Sequence, residues 1–582
     1  MTIHIAIVGG GPKGLYGLER LVAQLATRSD RPAVEIHLFN RTADFGAGEI
    51  YATDQPDYLL INYAIGNITM WIDEAPATVA PRPISLTRWL QARGHAVTDH
   101  DFASRAQVGR YLRDGLEQIL GHLPERVMVR CIVGEVVDLW HGDEGYRLRL
   151  RAADGDRVME PSYQHLLLAT GHPRPTPLPA DEAEDTVPFI YPVDAWLPDI
   201  PAQQPVAIKG MALTFIDAAL ALTEGRGGRF APRAEGGVDY HPSGDEPSAI
   251  YPFSRSGLPM VPRGPDVASR TDTLCFFTAE ALAVHRPPYD FEATLWPLLH
   301  LDFTWAYYRV LFQRTAFEAR RCLSADEMTT QIEEFHRRYE VPRFSIEQLF
   351  DPLAPLMQLD GDGLHRAVAS YLHAGIEAAQ RGPEAHPLAA LSAVWRAALP
   401  RFRQCFAFGG LTEASHLHFL REFAPALSRI SFGPPLPNAQ KIAALVEAGL
   451  LRFDVSRGAR CERDEKGQLL LVRGAERRPV SRLIDGRIPK LSLTHNASPL
   501  ARRLVERGLA QMAHDAEQGG LAISRRGALL NAQGSEERIT LTGTPTEGVL
   551  FDNDSLSRHC NNLVSGWAAD CLTELLQRNP DG

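Results

Sequence analysis

The N-terminal part of the chain alternates between short apolar segments and a longer segment with helical apolar spacing. Residues 3–8 are almost all apolar and predict a buried β-strand. Residues 15–27 carry apolar side chains three and four positions apart, which predicts an amphipathic helix. A second apolar segment, residues 34–39, follows a polar turn and predicts the next strand. We therefore expect a β-α-β unit with two parallel strands.

More strands and one similar unit are expected further along the chain. The apolar residues 163–168 predict another buried parallel strand. Residues 128–138 and 146–150 predict antiparallel strands, and a second strand, turn and helix is expected at residues 205–223. This alternation of strands and helices predicts an α/β fold class.

The middle of the chain has a different pattern. Between residues 270 and 400, aromatic and aliphatic side chains recur at three-to-four spacing, with arginine and glutamate on the opposite face. This pattern predicts a helical insertion. Residues 428–432 predict a return to strand structure, and residues 555–576 predict a final helix.

Length, charge and cysteine content exclude several classes of protein. A chain of 582 residues is long enough for about three to five domains. The formal net charge of -11 argues against a nucleic-acid partner, whose phosphates favour a basic surface. The seven cysteines include no Cys-x-x-Cys pair, and no metal site is predicted. Because the sequence has no leader-like start and no apolar stretch of about 18 residues, we expect a cytoplasmic protein with no membrane partner.

A glycine cluster stands directly after the first predicted strand. Gly9, Gly11 and Gly14 fit the pattern G-x-G-x-x-G, with Pro12 and Lys13 inside it. In such a turn the first glycine permits the tight bend, the second lets a pyrophosphate approach the backbone, and the third lets helix and strand pack closely. The helix that follows would present its N–H groups and positive dipole end to the phosphates. The cluster therefore predicts a dinucleotide-binding site.

The end of the second predicted strand departs from the usual dinucleotide pattern. An acidic residue normally stands there and holds the ribose hydroxyls. This chain has Asn40 instead, followed by Arg41. Because an asparagine side chain both donates and accepts hydrogen bonds, we predict that Asn40 and Arg41 keep a weakened contact with the cofactor.

Further motifs carry a resemblance to a known family. They are residues 45–51 (F-G-A-G-E-I-Y), 59–62 (L-L-I-N), 69–71 (T-M-W), 169–171 (A-T-G) and 543–548 (G-T-P-T-E-G). With the glycine cluster, they resemble a large bacterial family of FAD/NAD(P)-binding flavoproteins related to amino-acid N-oxygenases, including the nitrosuccinate-forming aspartate N-oxygenases. The resemblance spans nearly the whole chain apart from the helical insertion.

The resemblance implies a fold with a Rossmann-like FAD domain and a second Rossmann-like domain. It implies FAD contacts from Asn62, Thr69, Met70, Val136, Thr170, Gly171, Thr546 and Gly548. Met70 is equally well interpreted as a core residue, because methionine usually packs. After residues 543–548, a helix start is expected at residues 552–555, where its positive end would face the flavin.

The second strand, turn and helix keeps only part of the glycine pattern. Gly210 occupies the first position, Ala212 the second and Phe215 the third, where a phenylalanine would crowd the contact between helix and strand. Arg255 and Arg263 would supply charge for the 2′-phosphate of NADPH. We predict NADPH as the second cofactor. The alternative is a structural second domain in which Arg255 forms an ordinary ion pair.

These expectations divide the chain into domains. The FAD-binding domain is predicted at residues 1–180 and 486–582, the NAD(P)-binding-like domain at 181–268 and 426–485, and the helical insertion at 269–425. The insertion is expected to cover the active site or to form a subunit contact in a homo-oligomer.

The resemblance implies an FAD- and NADPH-dependent monooxygenase that uses O₂ to N-oxygenate the amine of an amino acid such as aspartate. Arg105, Arg110 and Arg263 are predicted to bind the substrate, and no catalytic residue is predicted. Two alternatives stay open. Phe215 favours an FAD-dependent dehydrogenase or oxidase without NADPH, and Asn40 favours a binding protein that keeps the flavoprotein fold without redox activity.

Overall fold

The described part of the chain contains two mainly parallel sheets, three smaller antiparallel sheets and a helical region. A computed structural model describes residues 2–577 apart from 176–177, 180–183, 265–273, 321–323, 357, 360, 494–497, 515–518 and 554. The predicted domain limits at 180/181 and 268/269 lie outside the described residues. The strands are β1 (Thr2–Val8), β2 (Ala33–Asn40), β3 (Val127–Val133), β4 (Glu135–Gly142), β5 (Gly145–Ala152), β6 (Gly155–Val158), β7 (His165–Leu168), β8 (Thr186–Val187), β9 (Val206–Lys209), β10 (Arg229–Pro232), β11 (Val238–His241), β12 (Ile250–Phe253), β13 (Arg460–Arg463), β14 (Leu469–Arg473), β15 (Glu476–Pro479), β16 (Arg482–Asp485), β17 (Ala528–Leu530) and β18 (Glu536–Leu541). The three smaller antiparallel sheets are β4-β5-β6, β10-β11 and β13-β14-β15.

The α-helices are α1 (Pro12–Ala26), α2 (Leu86–Gln91), α3 (Arg105–Leu120), α4 (Val193–Trp196), α5 (Leu213–Ala221), α6 (Ala279–Ala283), α7 (Trp296–Arg314), α8 (Ala325–His336), α9 (Ile346–Phe350), α10 (Gly361–Arg381), α11 (Pro387–Phe406), α12 (Glu413–His418), α13 (Ala424–Ser431), α14 (Leu436–Glu447), α15 (Pro499–Glu506) and α16 (Val564–Gln577). Two π-helical segments, Phe291–Leu295 and Phe419–Phe423, adjoin α7 and α13. Among the described residues, none of these helices combines the length and apolar character needed to cross a membrane.

The first sheet has the strand order β17-β18-β7-β1-β2-β3. Its strands run parallel except for β17, and β1 lies between β2 and β7. Helix α1 connects β1 to β2 and packs against α16 in one apolar core. The predicted β-α-β unit is confirmed, and all its parallel strands point their carboxyl ends to the same edge of the sheet.

The predicted strand at residues 128–138 is wrong in one respect. It is two strands, because Gly134 adopts a φ of 149° and ends the first of them. The first part, β3, pairs in parallel with β2, and only the second part, β4, enters the antiparallel meander with β5 and β6.

The second sheet has the order β12-β9-β16-β8, and its pairings are all parallel. Strand β16 comes from a part of the chain that follows the helical insertion, whereas the other three strands precede it. Helix α5 follows β9 directly and is buried along most of its length. The predicted α/β architecture with two Rossmann-like units and a helical insertion is therefore confirmed, while the domain limits stay a prediction.

The insertion is built around aromatic side chains. Phe291, Trp395, Phe402 and Phe419 are fully buried and contact one another through their rings. The expected strand at residues 428–432 is wrong: α13 extends through it, since a short apolar run does not distinguish a strand from a buried helix turn.

Candidate functional site

One large cleft of about 2550 Å³ opens where the two sheets, the insertion and the C-terminal part of the chain meet. It is lined by the residues that follow the carboxyl ends of β1, β2, β3, β7 and β18 in the first sheet, and β9 and β16 in the second. Pockets for a single small ligand measure about 300–1,000 Å³, so this cleft has room for several ligands at once.

The glycine turn after β1 lies at the floor of this cleft. Gly9 has a φ of 110°, and a Cβ added there would stand 2.1 Å from the Ala169 carbonyl oxygen. A Cβ on Gly14 would stand 1.8 Å from the Gly9 carbonyl oxygen. Both positions therefore exclude any side chain, as expected for the first and third glycines of a dinucleotide turn.

The second glycine is less crowded than the other two and lies at the cleft. A Cβ on Gly11 would have its nearest neighbour, the Gly48 Cα, at 3.7 Å. Gly11 is the N-cap of α1 and provides no side-chain cap, while Pro12 occupies the first turn. Gly11, Pro12 and Lys13 line the cleft. The helix thus presents its N-terminus to the cleft, and these residues fit a pyrophosphate.

Asn40 is used mainly by the protein itself. Its Oδ1 accepts a hydrogen bond from the Gly10 N–H at 3.3 Å, and its Nδ2 donates to the Thr42 carbonyl at 3.0 Å. Arg41 donates to Glu49 at 3.0 Å, and the same carboxylate accepts from Arg174 at 2.6 Å. Both predicted contact residues line the cleft, but their side chains are already engaged.

The neighbouring strand ends complete this half of the cleft. Gly134 donates its N–H to the Asn40 carbonyl at 2.8 Å, and Val136 is buried in the cleft wall just beyond it. On the other side of Gly9, Thr170 and Gly171 also line the cleft. Gly171 has a φ of 67°, which lets the chain turn away from the end of β7.

The segment 62–70 is divided by the structure. Asn62 lines the cleft, and its Nδ2 donates to the Phe432 carbonyl at 2.9 Å. The Thr69 hydroxyl accepts from the Trp71 N–H at 3.1 Å, and Met70 is fully buried in the core against Gly115. Neither Thr69 nor Met70 is among the described residues that line the cleft. Packing is therefore the interpretation that the structure favours for Met70.

The glycine turn after β9 enters the same cleft. Gly210 has a φ of 106° and lines the cleft with Ala212, which caps α5 without a side-chain hydrogen bond. The expectation that Phe215 crowds the helix–strand contact is wrong. Phe215 is fully buried in the core of the second sheet. Gly486 holds the place beside Gly210 that Ala169 holds beside Gly9: a Cβ on Gly210 would stand 3.3 Å from the Gly486 backbone.

The predicted arginines have different positions. Arg263 is buried in the cleft wall, where it donates to the Asn62 carbonyl at 3.0 Å and stacks on the Tyr63 ring. Arg255 is exposed and donates to the Arg421 carbonyl, and Arg110 is exposed and donates to the Thr53 carbonyl. The structure brings neither Arg255 nor Arg110 to the cleft among the residues it describes.

Arg105 lines the cleft but already has an anionic partner. Its guanidinium lies 2.5 Å from Asp217 of α5, and Tyr191 donates to the same carboxylate. Burial alone lowers the pKa of Arg105, but the attraction of Asp217 outweighs it and holds that pKa above its ordinary value. Arg105 therefore stays charged and joins the first Rossmann-like unit to the second.

The C-terminal turn also lies at the cleft. Gly548 lines it, whereas Thr546 is fully buried and donates its hydroxyl to the Gly543 carbonyl at 2.8 Å. The expected helix start at residues 552–555 is wrong, because α16 begins only at Val564. The residues around Asp552 instead form an irregular segment along the cleft, which also includes Asn553 and residues 555–557.

Sequence reasoning missed an ion pair between Arg403 of α11 and Asp552, both of which line the cleft. Arg403 and Asp552 are separated by 149 positions, and no local motif marks either of them. Burial alone lowers the pKa of Arg403, but the attraction of Asp552, with smaller contributions from Cys560 and Tyr63, outweighs it and raises that pKa. Three separate parts of the chain therefore place charged and polar side chains at one wall.

A second cluster lies away from the cleft, near the amino ends of β1 and β2. His4, Glu35 and His37 bring their ligand atoms within 4.8 Å of one another, and this is the metal-type grouping found among the described residues. Glu35 is also held by Arg130 at 2.5 Å, and His37 by the Tyr163 hydroxyl at 2.7 Å. Hydrogen bonds and an ion pair account for this cluster.

Comparisons with known proteins agree with the geometry of the cleft. An FAD-NAD(P)-binding family matches residues 6–173. The chain is 29% identical to an L-aspartate N-monooxygenase (nitrosuccinate-forming) of Streptomyces cremeus, over 98% of this chain and 94% of that protein. It is 29% identical to a nitrosuccinic acid synthase of Aspergillus oryzae, over 97% of this chain and 91% of that protein. The L-lysine 6-monooxygenase structure from Pseudomonas syringae aligns over all of both chains at 14% identity, with a TM-score of 0.47.

Proposed function

We propose that this chain, an FAD/NAD(P)-binding relative of the nitrosuccinate-forming L-aspartate N-monooxygenases, is a flavin-dependent oxidoreductase that N-oxygenates the amine of an amino acid. The observation that carries the proposal is that two uncapped glycine turns, after β1 and after β9, open into one cleft. Such an arrangement suits two dinucleotides that meet over a shared substrate. L-Aspartate is the first substrate to test, because both relatives are named for aspartate oxygenation or its product.

The first turn supports FAD as the resident cofactor. Gly11 and Gly48 line the cleft without side chains, and the N-terminus of α1 would face a pyrophosphate bound there. Gly134 and Val136 would hold the adenine half, since they line the cleft between the carboxyl end of β3 and the amino end of β4, next to β2. The other half of the dinucleotide would then extend over the ends of β7 and β18. When bound, FAD reduced by NADPH would supply the activation of O₂ and the transfer of one oxygen atom to the amine.

The second turn supports NADPH with a different set of residues. Gly210 and Gly486 keep the backbone free of side chains, and Arg487 and Lys490 line the cleft beside them. The guanidinium of Arg487 is oriented by Asp485 at 2.6 Å. These two cations would attract the phosphates of NADPH at the point where the cleft joins both sheets.

The wall with Asn62, Arg263 and Arg403 would hold the substrate. Arg263 is buried and already oriented by the Asn62 carbonyl and the Tyr63 ring, so it would bind a carboxylate with little loss of side-chain freedom. The apolar and aromatic surface formed by Val394 of the insertion and by Phe432, which follows the insertion, would exclude water from this wall.

A stepwise assay with the purified full chain tests the proposal. We expect a flavin absorption spectrum, anaerobic bleaching of that spectrum by NADPH, and formation of N-hydroxylated product or nitrite from L-aspartate in air. Succinate, which lacks the amine, serves as the matched control and should yield no nitrogen oxide.

Each other result identifies a different function. Bleaching by a substrate but not by NADPH would establish a dehydrogenase or oxidase, the alternative that the sequence suggests through its incomplete glycine pattern at Ala212 and Phe215. A colourless protein that does not take up added FAD would contradict the proposal and establish a binding protein.

A further inference from the structure

Arg403 and Asp552 form an ion pair at the wall of the cleft, between the helical insertion and the C-terminal part of the chain. Their side chains are 21% and 25% exposed, so both charges can be reached from the cleft. The Arg403 Nε is buried and has no hydrogen-bond partner among the described residues, which leaves one donor of the guanidinium unused. A partly open ion pair of this kind can exchange partners with a ligand.

The backbone at Asp552 is held in an unusual conformation. Its φ is 61°, a region that residues other than glycine rarely adopt. The conformation is maintained from both sides: Cys560 donates its thiol to the Asp552 carbonyl at 3.2 Å, and Asn561 donates to the Phe551 carbonyl at 2.8 Å. Strained positions that the surroundings hold in place occur preferentially at ligand-binding sites.

Side chains next to the Arg403–Asp552 pair would contact other groups of the same ligand molecule. Tyr63 lies next to Arg403, and its ring stacks on the buried Arg263 at 5.2 Å. The wall therefore offers two guanidinium groups and one carboxylate within a single part of the cleft. The Asp552 segment of this wall follows β18, which lies on the opposite side of the first sheet from β3 and Gly134.

We propose that the Arg403–Asp552 pair is the docking site for the two charges of a zwitterionic amino acid: Arg403 binds the α-carboxylate and Asp552 binds the α-ammonium. A zwitterion carries the same two charges as the pair itself, so each protein charge exchanges one partner for another of equal sign. The exchange then leaves neither Arg403 nor Asp552 without an opposite charge. This inference rests on the proposed function, which makes an amino acid the substrate, and it assigns Asp552 as the residue that selects an amine.

Calorimetric titration of the FAD-loaded full chain with L-aspartate and with succinate tests the assignment. Asp552→Asn should weaken L-aspartate at least about tenfold and should not weaken succinate, because only L-aspartate has an ammonium group, and succinate no longer has to displace a carboxylate from Arg403. Arg403→Ala should weaken both ligands at least about tenfold. A purely structural role for Asp552 would move both ligands together.

Two further variants complete the experiment. Asp351→Asn removes a carboxylate from an ion pair with Arg457, outside the cleft, and should leave both affinities unchanged. Asp552→Glu keeps the charge and should retain part of the preference for L-aspartate, which tests the assignment even if Asp552→Asn fails to fold. Equal losses for both ligands, no loss for either, or a wild-type protein that binds no L-aspartate would overturn the assignment. Selective binding without N-oxygenated product would instead reject the proposed function alone.

Discussion

The two glycine turns of the cleft meet the same requirement with residues from different distances along the chain. Around the first turn, Gly14 approaches the Gly9 carbonyl and Gly9 approaches Ala169 at the end of β7. Around the second turn, Gly210 approaches Gly486, which follows β16 on the far side of the helical insertion. Both turns therefore approach a strand end from a distant part of the chain, and only the first also has a close contact within its own motif, between Gly14 and Gly9. Which backbone segments approach each other closely depends on the fold. The G-x-G-x-x-G pattern therefore reveals such contacts only where the two partners are neighbours in sequence.

The largest expected effect comes from Gly9→Ala. Its Cβ would stand 2.1 Å from the Ala169 carbonyl oxygen, at a φ of 110°. We expect the variant to lose at least about 4 kcal/mol of stability or to fail to fold, because neither backbone segment can move away. Gly11→Ala is the matched control: its Cβ makes an ordinary contact of 3.7 Å, so the fold should persist while FAD is lost. Thermal melting and the ratio of flavin to protein measure the two effects. Equal damage in both variants would contradict the division of roles between the glycines.

The next largest effect concerns the link between the two units. Asp217→Ala leaves the Arg105 guanidinium, only 12% exposed, without its carboxylate. Loss of one partner of a buried pair should lower stability by about 3 kcal/mol, measured by urea unfolding. Because Arg105 belongs to the first unit and Asp217 to the second, NADPH-dependent reduction of bound flavin should slow more than FAD binding weakens. Asp351→Asn, in a more exposed pair, should have a much smaller effect. Unchanged reduction in Asp217→Ala would show that the pair does not couple the units.

We expect the free energy of unfolding to depend on pH through His416, a buried histidine near the C-terminal turn. Burial lowers the pKa of His416 to about 4, with a further lowering by His514, whose ring lies 4.3 Å away. His514 in turn contacts the Gly548 carbonyl at 3.2 Å. Between pH 6.5 and pH 4 the unfolded chain binds a proton that the folded chain does not, so stability falls as the pH falls through this window.

The variant His416→Leu isolates that effect. At pH 8 the free energy of unfolding of the variant should be close to that of the wild type. From pH 8 to pH 5 it should fall by about 2 kcal/mol less than that of the wild type. Urea unfolding at the two pH values measures the difference, since all other acidic groups are shared by both proteins. Parallel pH profiles for the two proteins would rule out His416 as the source.

Sequence reasoning succeeded where the requirement is local. The strand, turn and helix from β1 to α1 follow from apolar spacing and glycine positions within one short segment. It left Met70 open between a flavin contact and a core position, because the side chains that surround a methionine decide whether it packs in the core or lines a cleft. Composition gives no help there, since both positions are apolar.

The missed parts of the site are contacts between distant segments. Arg403 lies in the helical insertion and Asp552 in the C-terminal segment, and each looks like an ordinary surface residue in the sequence. For the same reason Arg105 was predicted to bind substrate, although Asp217 of α5 occupies its guanidinium. Charged residues are recognisable from sequence, but their partners are chosen by the fold.

The smallest loss of stability is expected from a substitution in the second glycine turn. Gly210→Ala places a Cβ 3.3 Å from the Gly486 backbone and the flexible Arg487 side chain, contacts that small shifts can relieve. The φ of 106° still disfavours alanine, so we expect a loss of about 1 kcal/mol. FAD content should match the wild type, while the concentration of NADPH needed for half-maximal flavin reduction should rise. Thermal melting and anaerobic titration with NADPH measure these two quantities. A variant as damaged as Gly9→Ala would contradict the argument, because it would mean that the second turn tolerates side chains no better than the first.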